Sequence, residues 1–85
     1  EYIMKRNHRK AFTELKKMGC PVFVGVDNKE SFFISAEDNE HDIWADYHMY
    51  AYGEFGVKQS VCDKLREHGL YAEWINPGLV SVNDI

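Results

Sequence analysis

The sequence predicts an α+β domain in which an antiparallel sheet of about five strands carries two helices on one face, in the order αββ-β-αββ. Three observations predict it. Apolar residues recur at spacings of three and four in two separate segments, and each segment ends at a glycine. Short runs rich in Val, Ile, Phe, Tyr and Trp, bounded by turn residues, follow each segment. The two halves also echo each other. Ala11, Leu15 and Gly19 stand fifty residues before Val61, Leu65 and Gly69, and each set precedes a strand, a turn and a strand. Identity between the halves is slight, so convergence on one favourable local pattern explains the echo as well as duplication does.

In the first helix, His8, Ala11, Phe12, Leu15 and Met18 mark the apolar face, with Asn7 expected as N-cap and Gly19 as the C′ residue. Lys16 and Lys17 suit the helix dipole, whereas Arg9 and Lys10 in the first turn oppose it. Residues 20–26 read as a strand that Pro21 can begin but not interrupt. A turn at 27–30 returns the chain as strand 31–35, and a polar acidic loop covers 36–42. Residues 43–52 alternate as a third strand, with Ile43, Ala45, Tyr47, Met49 and Ala51 on one face and Trp44, Asp46, His48, Tyr50 and Tyr52 on the other. After a turn at 53–56, Val57, Val61, Leu65 and His68 form the second helical stripe, closed by Gly69 with Leu70 as its apolar contact. Strand 70–75, the turn Asn76-Pro77-Gly78 and strand 79–82 complete the chain.

Eighty-five residues make one domain, 1–85. Met4 reads as the natural start, so residues 1–3 are set aside. With 45% hydrophobic and 14% aromatic residues the composition is that of a globular chain, not a disordered one. No apolar run reaches the length of a membrane span or a signal-peptide core. Cys20 and Cys62 show no zinc-type spacing and read as two reduced thiols, which places the expected location in the cytoplasm.

Charge is segregated. Residues 1–20 hold six bases and two acids, residues 27–54 hold one base and eight acids, and the chain totals −4. The molecule should therefore be a dipole with a basic first helix and an acidic middle. Within that middle, Glu37, Asp38, Glu40 and Asp42 lead directly into Trp44, Asp46, His48, Tyr50 and Tyr52. Two short helices cannot cover both faces of the sheet, so this aromatic face is expected to be exposed. Aromatic anchors with a charged rim have the composition of a protein interface. These nine residues are the expected partner-binding set. A self-complementary aromatic face would instead make strand 43–52 a homodimer edge.

Other chemistries are poorly supplied. Asp46 and His48 would point the same way from one strand, with His41 and Asp42 nearby, but a metal site needs further ligands and a supporting shell. Cys20 has no evident base, and Asp63 beside Cys62 would raise that thiol's pKa. No nucleophile elbow, phosphate loop or dinucleotide glycine pattern occurs. The expectation is a protein with no catalytic residues, no metal and no cofactor. The alternative is a small nucleic-acid-binding regulatory protein using Lys5, Arg6, Arg9 and Lys10, continued by Lys16 and Lys17, against the plain reading of a solvated helix face.

The units LxxxGCPVFVGVDN and FGVxxxxxxKLxxHGLxAEWxNPG, in so small a chain, resemble phage- and prophage-encoded accessory proteins, including anti-CRISPR inhibitors. The likeness runs through most of residues 7–83. It implies a non-enzymatic inhibitor or modulator in a host cytoplasm. Its acidic surface would dock on a basic, nucleic-acid-processing partner such as a CRISPR-Cas complex. The resemblance carries over no functional residue by position.

Overall fold

Helix α1 (Arg6–Lys17) turns His8, Ala11 and Leu15 inward. The computed structural model describes residues 4–25, 30–37, 44–47, 53–54 and 56–85. Asn7 is not the N-cap. Lys5 holds that position without a side-chain cap, and Asn7 lies in the first turn. Its amide donates instead to the His68 carbonyl at 3.0 Å and to Asp84 Oδ1 at 3.3 Å, tying α1 to distant parts of the chain. At the other end Gly19 adopts φ +94°. Its N–H reaches the Lys16 carbonyl and that of Cys20 reaches the Leu15 carbonyl, the bond pair of a Schellman cap, with Cys20 buried behind it.

The second helix, α2 (Gln59–Glu67), buries Val61, Cys62 and Leu65 and ends at Gly69, φ +73°, with Leu70 buried. Nothing lies within 4 Å of where a side chain at Gly69 would point. Gly69→Ala therefore isolates the backbone penalty of a left-handed residue. It should lower the unfolding free energy by about 1–2 kcal/mol in denaturant titration, and Gly69→Asn by less.

The main sheet contains β1 (Val22–Phe23), β2 (Phe33–Ser35), β5 (Leu70–Asn76) and β6 (Leu79–Asp84). All neighbours are antiparallel, in the order β1-β2-β6-β5. The helix–hairpin units thus meet along their second strands, β2 and β6. Val22 stands opposite Ile34 and Ala72 opposite Val82, so the first strands keep the fifty-residue offset of the two glycine caps, whereas the second strands, Ile34 against Val82, do not. Alternation then sends Phe32, Ile34, Val80 and Val82 to the helix side, where all four are buried with Leu15 and Leu65. The Phe12 ring meets Phe32 edge-on, centroids 5.4 Å apart.

The third strand expected at 43–52 falls partly outside the described residues, which hold only 44–47 of it. Those four run beside a second, two-stranded sheet of β3 (Gly53–Glu54) and β4 (Val57–Lys58). Ala45 bridges Val57, Asp46 N–H donates to the Gly56 carbonyl and Lys58 N–H to that of Trp44. This stretch therefore pairs locally with β4 instead of extending the main sheet.

Both cysteines are buried and unpaired to each other. Burial pushes the Cys20 thiol up to about 12, and Lys58 offsets this only in part. Cys62 Sγ donates to the Val57 carbonyl. Neither thiol should react with a disulfide reagent at neutral pH until the chain unfolds. Rapid native-state labelling at Cys20 would place that residue outside the core.

Candidate interaction surfaces

The nine residues expected to bind a partner divide into three groups. Glu37 is exposed just after β2, where its N–H donates to Ser35 Oγ and its carboxyl end fills the space beside Gly78. Asp38, Glu40, Asp42, His48, Tyr50 and Tyr52 lie outside the described residues. Trp44 and Asp46 are described, and Trp44 corrects the expectation. It is 8% exposed and belongs to the core. Its ring edge lies against Gly19, and Lys58 Nζ sits 4.5 Å from its centroid. The physical reason is the local pairing with β4, which lays residue 44 over the end of α1. Asp46 is half-buried, and Tyr47 meets Trp74 edge-on at 5.2 Å. Among the described residues, the aromatics of this stretch pack inward.

Among the described residues, the exposed aromatic surface is elsewhere. Opposite the helices, one cross-strand row runs Phe23, Phe33, Ser81, Glu73. The two phenylalanine rings lie 5.7 Å apart. Tyr71 stands opposite Asn83 on the same face, and Ile75 falls at a register shift in the β5–β6 pairing. Phe23 is 42% exposed, Tyr71 45% and Ile75 53%, high values for residues this large and apolar. Asn83 Nδ2 donates to Ser81 Oγ and Glu73 Oε1, and Ser81 Oγ donates to the Glu73 carbonyl. These bonds fix a polar strip beside the apolar one. The alternation of strands 70–75 and 79–82 carried this face in the sequence.

Sequence reasoning also missed a polar knot between α1 and β6. His8 is 4% exposed, with Nδ1 2.6 Å from Ser31 Oγ and Nε2 3.1 Å from Asp84 Oδ1. Lys5 Nζ reaches the other Asp84 oxygen at 3.1 Å, and Ser31 Oγ donates to the Val82 carbonyl at 2.8 Å. Hydroxyl, imidazole and carboxylate in series have the composition of a nucleophile–base relay. Here, however, Ser31 Oγ also lies against a strand carbonyl that can only accept, which competes with the ring for the single hydroxyl proton. Every member thus joins one element to another, the arrangement of a structural tie. A hollow of about 390 Å³ lies over it, lined by Lys5, His8, Glu30, Ser31, Asn83 and Asp84 among others.

Lys5, then Asn7 and His8, hold the Asp84 carboxyl down to about 2 against an ordinary 3.8. A carboxyl depressed in the fold contributes stability that is complete above the unfolded value. That contribution is lost as pH falls from about 4 towards 2. Asp84→Asn should therefore flatten the acid limb of the stability–pH profile in that window, as read by denaturant midpoints. An unchanged limb would show that the tie does not form.

Among the residues proposed for nucleic acid, Lys5 is engaged with Asp84, whereas Arg6, Arg9 and Lys10 are exposed on α1. Beside them, Glu14, Glu67 and His68 bring ligand atoms within 4.8 Å of one another, close enough to hold a cation. Lys64 already supplies one, with Nζ 3.2 Å from Glu14 and 3.3 Å from Glu67. Hydrogen bonds from His68 and Lys64 hold the Glu14 carboxyl below its ordinary value, while Glu14 and Glu67 raise that of Lys64. This cluster is an ion-pair network between the helices.

Comparison with protein-family models, curated proteins and solved structures gave no match for this chain.

Proposed function

We propose that this protein works by contact, as a non-enzymatic inhibitor or modulator that docks on a larger, basic, nucleic-acid-handling protein. The observation that carries the reading is the outward sheet face. Phe23, Tyr71 and Ile75 remain substantially exposed there, beside a fixed strip of Glu73, Ser81 and Asn83. Large apolar anchors next to oriented polar groups are what a protein interface needs, and rigid strands limit the entropy lost on docking. The acidic residues Glu37, Asp38, Glu40 and Asp42 follow β2, a strand of this sheet. In this reading they accelerate encounter with a basic surface and disfavour acidic competitors.

The finer identity, a phage-encoded anti-defence protein of the anti-CRISPR kind with a CRISPR-Cas or similar host complex as its target, belongs to the same proposal. So does a cytoplasmic setting. No helix among the described residues is long and apolar enough to cross a membrane. Glu40→Lys with Asp42→Lys should slow association with the purified partner by at least tenfold at low salt and flatten its salt dependence. Equal association rates for both forms at low salt would remove the carboxylates from the contact.

A further inference from the structure

The pairing of cations in this protein is uneven, and the unevenness falls on one line of α1. Lys5 pairs with Asp84, Lys64 with Glu14 and Glu67, and Arg66 with Asp63. Lys16 sits over the Phe12 ring and Lys58 over that of Trp44. Among the described residues, Arg6, Arg9, Lys10 and Lys17 alone have neither an acidic partner nor an aromatic one. At about 100° per residue these four, with Thr13, fall within an arc of about 100°. That arc faces directly away from the buried line of His8, Ala11 and Leu15. A merely solvated helix face would be expected to mix signs, because acids four residues from bases stabilise it. This stripe holds no acid. Glu14, the carboxylate flanking it, is taken up by Lys64 and His68. Arg6, Arg9 and Lys10 also crowd the helix start, the end where cations are least favourable.

We infer that this stripe is a docking surface for the phosphate backbone of duplex nucleic acid. Arg6 to Lys17 spans about 16 Å along the helix. That is about five phosphate steps of one strand, so four cations at this spacing match one stretch of backbone. Between Arg9, Lys10, Thr13 and Lys17 the surface hollows to about 380 Å³, with Glu14 and His68 on its far wall. A duplex rather than a single strand is favoured by what the stripe lacks. Single-strand grooves stack bases on aromatic side chains. The one aromatic residue of α1, Phe12, faces the core side under Lys16. Such contacts position without reading sequence. This surface is separate from the outward sheet face, and the inference does not rest on the protein-docking proposal.

The test is fluorescence anisotropy of a labelled 20-base-pair DNA duplex titrated with the purified protein from 20 to 200 mM NaCl. Binding is expected to be independent of sequence, with log K falling against log salt at a slope of about −3 to −4 for four phosphates. Lys10→Glu should weaken binding about tenfold or more at 20 mM salt. Arg66→Glu, which changes net charge equally from the partnered set, should alter it less than threefold. Melting curves of both variants should match the parent, since both positions are exposed. Three outcomes overturn the inference: no binding at 20 mM NaCl, equal weakening by both variants, or tighter binding of a single strand of the same length.

Discussion

Phe32→Ala should lower the unfolding free energy by about 3–5 kcal/mol, the range for removing a fully buried phenylalanine ring. Phe32 has no exposed surface and meets Phe12 edge-on, so truncation leaves a void between α1 and the sheet. A domain of this length has roughly 4–13 kcal/mol in total. The substitution should therefore consume much of that margin and leave the chain partly unfolded at 37 °C. Phe32→Leu, which keeps most of the volume, should lose less than half as much. Denaturant titration followed by circular dichroism reads both. A loss below 1 kcal/mol for Phe32→Ala would mean that α1 does not pack on this strand as described.

His8→Ala should lower the unfolding free energy by about 2–4 kcal/mol, as removal of a buried side chain does. Two terms contribute. The imidazole fills buried volume below α1, and its nitrogens bridge Ser31 and Asp84 from two other parts of the chain. Truncation leaves Ser31 with the Val82 carbonyl and Asp84 with Lys5 and Asn7, so neither is orphaned, which keeps the loss below that of a stranded buried charge. His8→Phe restores volume without the bonds and separates the terms. If it matched the parent in stability, the polar knot would contribute nothing. Combining His8→Ala with Asp84→Asn should be clearly less than additive, because the two side chains share one network.

What the sequence revealed depended on how local the deciding interaction was. Both helices were legible because Ala11, Leu15, Val61 and Leu65 repeat at helical spacing and Gly19 and Gly69 close them within one turn. The β5–β6 hairpin was legible because Asn76-Pro77-Gly78 dictates a tight turn, and Asn76 Oδ1 accepts the Gly78 N–H. Asn7 was misassigned as a cap because its real partners, the His68 carbonyl and Asp84, lie at the far end of the chain. Trp44 was expected to be exposed because alternation fixes which residues share a face but not which strand they pair with. Pairing with β4 turned it inward. His8 was read on the apolar face of the first helix and is buried there, but nothing near it in sequence names Ser31 or Asp84. The basic face of α1 was visible as composition, whereas the absence of partners along one stripe emerged only from the fold.

The proposed contact through the outward sheet face is decided by affinity capture from cell lysate. The parent would be run beside Tyr71→Ser/Ile75→Ser, with the captured protein identified and then retitrated in pure form. Both positions are exposed, so the variant should melt with the parent. The prediction is one protein held by the parent, with affinity reduced at least thirtyfold for the variant, and inhibition or modulation of that protein's own activity by the parent alone. Equal affinity of both forms for the captured protein would contradict the claim and move the contact off this face.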